Sequence, residues 1–237
     1  VHEYYSAAKY ETEVISLLDN DLFKSNDTVL MTGGSMLYID AVCRGIDDMP
    51  DVDENLRKDL IQRYNTEGID NLLAELKLLD PEYYLKVDLK NHKRVIHGLE
   101  ICLMTGKPYS QYRTGKIKQR SFDIIKICLD RERNDLYKRI DVRVENMIKS
   151  GLLDEAAALY EYRSLNSLNT VGYKEIFAYM DGLCTLDEAV NNIRNNTHKY
   201  ARKQLTWFRK DPDYKWFHAD NNDEVIKYLS ENHHFIL

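Results

Sequence analysis

The hydrophobic positions of the 237-residue chain recur mostly at spacings of three and four, the repeat of helices that bury one face. Ala7, Tyr10, Val14, Leu17 and Leu18 predict a first amphipathic helix. Thr28 to Thr32 breaks the repeat. This short apolar run, rich in β-branched residues and ending at Gly33-Gly34, predicts a buried strand leading into a glycine turn. Helical spacing resumes from Ser35 to Cys43, with Leu37 and Ala41 on one side. Strand, Gly-Gly and helix in that order is the layout of a βα unit in a parallel sheet.

From about Asp47 to Arg120 the spacing is helical throughout, with stripes at Leu56-Leu60-Tyr64, Leu72-Leu73-Leu76-Leu79 and Val95-Leu99-Cys102-Leu103. Asp80-Pro81 predicts a helix start, with Asp as the cap and Pro in the first helical position. Thr114 to Arg120, glycine-containing and basic, reads as an exposed loop. A second strand is expected over Phe122 to Leu129, then a long helix from Glu132 to Lys149 that buries Leu136, Ile140, Val144 and Met147 and stops at Gly151. Three more helices (Leu152 to Tyr160, Lys174 to Met180, Leu186 to Arg209), a brief strand at Tyr214 to Phe217 and a helix from Glu224 to Leu229 complete the pattern. The expected architecture is α/β with a parallel sheet, predominantly helical. Its parts are 1–47 as N-terminal core, 48–120 as a helical insertion and 121–237 as the rest of the core.

Hydrophobic residues at 43% supply enough apolar material for a core, and four Pro with ten Gly are too few for a barrel or sandwich built on tight turns. No apolar run is long enough to span a bilayer, and Val1-His2-Glu3-Tyr4 does not begin a signal peptide. Cys43, Cys102, Cys128 and Cys184 are widely separated with no C-x-x-C pair, which argues against a zinc site or disulfide framework and for a cytoplasmic protein. The adjacent pair His233-His234 would diverge on either a helix or a strand and is assigned no metal role.

Charge changes the picture. The chain is net −6, yet Lys86 to Arg120 holds nine Lys or Arg against two acids. Ala189 to Lys210 holds six basic residues and no acid. Basic patches on an acidic protein fit either solvated helix faces or a phosphate-rich partner gripped at chosen places.

Several phrases, in order, resemble one family, the tRNA dimethylallyltransferases or tRNA isopentenyltransferases. Val29-Leu-Met-Thr-Gly-Gly-Ser-Met-Leu-Tyr38 is similar to the family's strand followed by Gly-Gly-Thr-x-Leu-Tyr. Asp80-Pro81, Lys93-Arg94-Val-Ile-His-Gly-Leu-Glu100 and Thr105-Gly106-Lys107 resemble its D-P, Q-R-x-x-R-A-L-E and (T/S)-G-K series. Leu136-Tyr-Lys-Arg-Ile-Asp-Val-Arg143, Val171-Gly172-Tyr173-Lys174 and Thr197 to Arg209 resemble three later motifs. Ser35 stands for the usual Thr, His97-Gly98 for Arg-Ala, and Arg202-Lys203 reverses the usual order. The family's phosphate-loop motif and the D-S-x-Q segment holding its general base are not in the sequence, so the resemblance implies a truncated chain, inactive alone.

The resemblance implies a P-loop NTPase-like core, incomplete here, with an all-helical tRNA-binding insertion. It also implies transfer of a dimethylallyl group from dimethylallyl diphosphate to N6 of the adenine beside the tRNA anticodon, position 37. Alternatives are a catalytically inactive tRNA-binding fragment and an isopentenyltransferase acting on free adenine nucleotides. Nucleotide binding and Mg2+ assistance to the diphosphate are part of the expectation, with the metal ligands outside this sequence. The expected partners are a tRNA anticodon stem-loop and the allylic diphosphate, and the expected state is a monomer.

Site residues follow from the same matches. Position alone favours Ser35 as a helix cap, while the resemblance makes it a candidate catalytic hydroxyl that hydrogen-bonds near the substrate base; both roles can coexist. Arg139 and Arg143, four apart on one helix, carry forks suited to a diphosphate, with ion pairs to Asp141 or Glu145 as the alternative. Arg57, Lys93, Arg94, Val95, Ile96 and His97 map onto tRNA-contacting positions, as do Asn169, Thr170, Val171, Gly172, Tyr173 and Lys174. Lys199, Arg202, Lys203 and Arg209 form a partly one-sided basic ridge, and Trp207 is expected in the core.

Overall fold

The computed structural model describes residues 2, 5–51 and 53–233; Val1, Glu3, Tyr4 and His234 lie outside these. The chain forms two compact units, one from 6–29 with 40–121 and the other from 30–39 with 122–233.

The first unit is all helical. Helix α1 (Ala7–Leu17), capped by Ser6, continues through a π-helical turn at Leu18–Leu22 into α2 (Phe23–Ser25). Helix α3 (Met36–Arg44) carries the chain from one unit to the other. Then come α4 (Glu54–Glu67), α5 (Asp70–Leu79), α6 (Pro81–Lys86), α7 (His92–Thr105) and a single tight turn at Tyr109–Gln111. Leu60, Leu72, Leu76, Val95, Leu99 and Cys102 form the core, so most of each expected stripe faces inward, whereas Leu79 and Leu103, at the helix ends, are exposed. Asp80 caps α6 as its sequence position requires, accepting from Tyr83 N at 2.9 Å. It is wholly buried, and it also accepts from Ser110 N at 2.6 Å and Ser110 Oγ at 2.8 Å, which ties α6 to the Tyr109 turn.

The most buried side chain on α1 is not apolar. Glu11 is 6% exposed and receives Arg120 at 2.9 Å, Lys118 at 3.4 Å and the Ile46 amide at 2.8 Å. Arg120 also donates to the carbonyls of Ala41 and Val42, and Lys118 N donates to Arg44 O at 2.8 Å. The two passages of chain that open and close the helical block, 41–46 and 118–120, are therefore pinned side by side on one carboxylate. This corrects the reading of Thr114–Arg120 as simply exposed: Thr114 to Ile117 are exposed, but Lys118 and Arg120 are held inward as ion pairs. It also explains why 6–29 belongs to this unit.

The second unit contains a two-stranded parallel sheet, β1 (Ile127–Asp130) beside β2 (Lys215–His218), with Ile127 opposite Lys215 and Asp130 opposite His218. Between the strands run α8 (Arg133–Lys149), α9 (Leu152–Ala158), α10 (Tyr173–Met180) and α11 (Leu186–Phe208), and α12 (Asn222–His233) follows β2. Parallel strands need such a crossover connection. Ile140, Val144, Leu152, Ile176, Phe177 and Ile193 are the core of these helices. The fold is thus predominantly helical with a small parallel sheet.

Three local expectations are corrected. The run 28–32 is not a strand: Leu30 is 85% exposed, and among the described residues no backbone hydrogen bond joins it to a neighbour. A strand exists only where an adjacent strand satisfies its amides and carbonyls, whatever its own apolar content. For the same reason the Phe122–Leu129 run is extended sheet only from Ile127, where β2 lies alongside it. Trp207 is 39% exposed, and Phe208 takes the core position on that turn.

Candidate active site and RNA-binding surface

In the sheet-containing unit, Gly33 and Gly34 lead directly into α3, and Ser35 is exposed at the junction. Its carbonyl accepts from Ile39 N at 3.0 Å, so Ser35 stands in the capping position while its hydroxyl meets solvent. The Gly34 carbonyl is held from α11: Gln204 Nε2 donates to it at 2.6 Å and Tyr200 OH at 3.3 Å.

Arg139 and Arg143 lie exposed on α8, one turn apart. The carboxylates that could have neutralised them lie against other side chains. Asp141 lies 3.0 Å from His198 Nε2, and Glu145 accepts from Arg194 at 3.1 Å. Neither arginine has an ion pair among the described residues, although Asp220 lies within electrostatic range of Arg139. Two adjacent guanidinium forks outside any ion pair among the described residues suit a diphosphate.

The segment 169–174 turns into α10. Asn169, Thr170, Val171 and Lys174 are exposed. Gly172 takes φ 108°, a left-handed backbone that a side chain would strain, and donates its amide to Glu175 Oε2 at 2.8 Å. Glu175 is buried and also receives Asn196 at 2.7 Å. The Tyr173 hydroxyl donates to Glu155 while its ring stacks on Phe177.

On the helical unit, Lys93 and Arg94 are exposed in the first turn of α7, where free amides and the helix dipole already favour anions. Val95 and Ile96 differ: both side chains are buried in the helical core, so what they can offer RNA is the placement of their neighbours. Arg57 makes a two-pronged ion pair with Glu100, Nε to Oε1 at 2.6 Å and Nη2 to Oε2 at 2.8 Å. His97 Nδ1 lies 3.1 Å from the same carboxylate, which is wholly buried. Burial by itself would push Glu100 up, but hydrogen bonds from His97 and Arg57 outweigh it and hold the carboxyl below the usual range. A depressed folded-state value stabilises the fold above the unfolded Glu value of about 4.3 and is lost as pH falls through the folded value. The thermal midpoint should therefore fall less steeply on acidification below about pH 5 in Glu100→Gln than in the parent. Parallel curves would contradict this.

The sequence reading passed over three features. One is the Glu100 clasp; another is Glu175 beneath the 169–174 turn. The last is a polar groove of about 350 Å³ between α8 and α11, lined by residues that include Arg133, Tyr137, Asn195, His198, Lys199 and Arg202. Tyr137 and His198 stack along it with ring centres 4.1 Å apart. The polar positions Asn192, Asn195, Asn196 and Lys199, at helical spacing, were its only signal. Of the basic ridge along α11 and its C-terminal cap, all four residues are exposed, and Arg209 is paired with Asp130 at 2.9 Å.

The magnesium implied by the resemblance finds no ligand set here. Among the described residues no group of three His, Cys, Asp or Glu side chains could hold a metal ion. Among the same residues, no helix is long and apolar enough to cross a membrane.

The family model described as IPP transferase matches residues 1–211. The chain belongs to the IPP transferase family. It is 58% identical over 227 residues to tRNA dimethylallyltransferase 1 of Bacteroides fragilis, covering 96% of this chain and 75% of that protein. The corresponding protein of Phocaeicola vulgatus is 55% identical, covering 98% of this chain and 77% of its own length. Among solved structures, the full-length tRNA isopentenylpyrophosphate transferase of Bacillus halodurans superposes with a TM-score of 0.63 at 31% identity, over 97% of this chain and 74% of that one. A eukaryotic dimethylallyltransferase described as acting on tRNA gives a TM-score of 0.74 at 22% identity, over 97% of this chain and 62% of its own, a likeness of fold.

Proposed function

We infer that this IPP transferase family member is a tRNA dimethylallyltransferase: it moves a dimethylallyl group from dimethylallyl diphosphate to N6 of the adenine beside the anticodon. The observation that carries the reading is the 58% identity, across 96% of the chain, to a protein named tRNA dimethylallyltransferase 1. In the reaction the amine nitrogen bonds to the allylic carbon, the carbon–oxygen bond to diphosphate breaks, and the amine loses a proton. An exocyclic amine is a poor nucleophile, and pyrophosphate departs with concentrated negative charge. The demands are therefore alignment, proton removal and neutralisation of the leaving group. Mg2+, when bound, would help neutralise the diphosphate.

Ser35, exposed on an anchored turn, is the group proposed to hydrogen-bond near the acceptor base. Arg143, with Arg139, is proposed to receive the diphosphate. Lys93, Arg94 and Arg57 are proposed to meet phosphates and set register, with His97 beside them, and 169–174 to meet an unstacked anticodon base. Glu100 orients Arg57, and the buried Val95 and Ile96 seat the turn that carries the basic pair. The adenine must leave its stack to reach the centre, as in base-flipping enzymes. A monomer acting in the cytoplasm completes the proposal.

A related reading is prenylation of free adenine nucleotides, but a mononucleotide has no use for exposed cations on a separate helical unit. Competition decides between them. With the polypeptide of the complete reading frame, an unmodified anticodon stem-loop should accept label from dimethylallyl diphosphate, and excess AMP should not suppress the transfer. Suppression by AMP, with AMP itself labelled, would favour the nucleotide reading.

A further inference from the structure

We propose that Gln204 is a positioning residue for the reaction, acting by fixing the peptide unit that carries Ser35. This rests on the reading of Ser35 given above. The Gly34 carbonyl and the Ser35 N–H belong to one planar peptide group, so holding the carbonyl holds Ser35 Cα as well. Gln204 Nε2 donates to that oxygen at 2.6 Å and Tyr200 OH to the same oxygen at 3.3 Å. These two donors lie four residues apart on α11 and so share one helix face. On its other side Ser35 is fixed by the 3.0 Å bond from Ile39 N to its carbonyl. Its backbone is thus restrained from both directions, while only the hydroxyl is free to turn.

The same contact accounts for the glycine. A Cβ on Gly34 would occupy the space of the Gln204 amide nitrogen. Gly33, by contrast, has nothing within 4 Å of such a Cβ, so the close approach is made at one glycine of the pair. The obstructing atom is the end of a flexible side chain. An alanine at 34 would therefore displace the amide and release the carbonyl at little cost to folding. Gln204 is half-buried and reaches the loop from a long, well-capped helix, the kind of rigid support that catalytic geometry requires.

Misplacement of a reacting group by about 1 Å can cost on the order of a hundredfold in rate. In the polypeptide of the complete reading frame, Gln204→Met keeps the side-chain length and removes the donor. It should lower kcat for stem-loop prenylation by about ten- to a hundredfold, with KM for the stem-loop and the thermal midpoint unchanged. Gly34→Ala should show the same loss by displacing the amide. The pairs Gly34→Ala with Gln204→Met, and Ser35→Ala with Gln204→Met, should lose little beyond their worse member, because all act through one peptide unit. A parental kcat in Gln204→Met would overturn the proposal, as would a rise in KM alone or a loss matched by a lower thermal midpoint. Normal kcat in Ser35→Ala would instead remove the reading of Ser35 itself. A slow Ser35→Ala beside a normal Gln204→Met would remove the positioning role only.

Discussion

Arg143→Ala is expected to lower kcat/KM for dimethylallyl transfer by about a hundred- to a thousandfold, the usual cost of losing one donor aimed at developing charge. Its fold should be untouched. The side chain is exposed, and among the described residues it makes no ion pair, because Asp141 and Glu145 serve His198 and Arg194 instead. Removing it creates neither a cavity nor an orphaned charge, so the thermal midpoint should stay within experimental scatter. Arg143→Lys should recover part of the loss, since a point charge remains but the two-pronged fork does not. Single-turnover rates for the three proteins check the series. Parental rates in Arg143→Ala would remove this residue from the diphosphate site.

The second large effect is on stability. Glu11 and Arg120 are both more than nine-tenths buried, and breaking such a pair typically costs about 3–5 kcal/mol, because one charge is left inside without its partner. Glu11→Ala also deprives Lys118 and the Ile46 amide of an acceptor. Urea denaturation should show the loss as a lower midpoint. A nearby control isolates it. Glu13 is half-exposed and only 4.0 Å from Lys9, so Glu13→Ala should change stability by no more than about 1 kcal/mol. Equal midpoints for Glu11→Ala and Glu13→Ala would contradict the pinning of 41–46 against 118–120.

Glu11 and Glu100 also show what a single sequence conceals. The stripe of Val95, Leu99 and Cys102 was readable because apolar burial repeats with the helix, and Asp80 was readable because a cap and a following proline are local chemistry. Glu11 finds Arg120 across 109 positions and Glu100 finds Arg57 across 43, and no periodicity announces such distant pairings. Glu100 also changes the meaning of Arg57, which the resemblance sets among tRNA-contacting positions and which stands in the fold as half of a clasp. Thr28–Thr32 failed for a related reason: a strand is a property of two segments, and the run contains only one of them. Glu175 was within reach, since a Glu three residues into a helix commonly bonds back to the amide at its start.

The site was legible chiefly through ordered resemblance. Ser35, the Arg139–Arg143 pair and the 169–174 turn were named from motifs, and the structure adds how each is held: by Gln204 and Tyr200, by the diversion of Asp141 and Glu145, and by Glu175 with Asn196. Gln204, Tyr200, Arg194, Asn196 and His198 all reach these groups from α11, a different element, which is why motif spacing did not reveal them.

The most direct measurement is the product itself. Unmodified tRNA incubated with dimethylallyl diphosphate and the polypeptide of the complete reading frame, then digested and mapped by mass spectrometry, should carry one dimethylallyl group on the adenine immediately 3′ of the anticodon. Substituting that adenine should abolish the gain. A product modified elsewhere, or tRNA returned without added mass, would contradict the account.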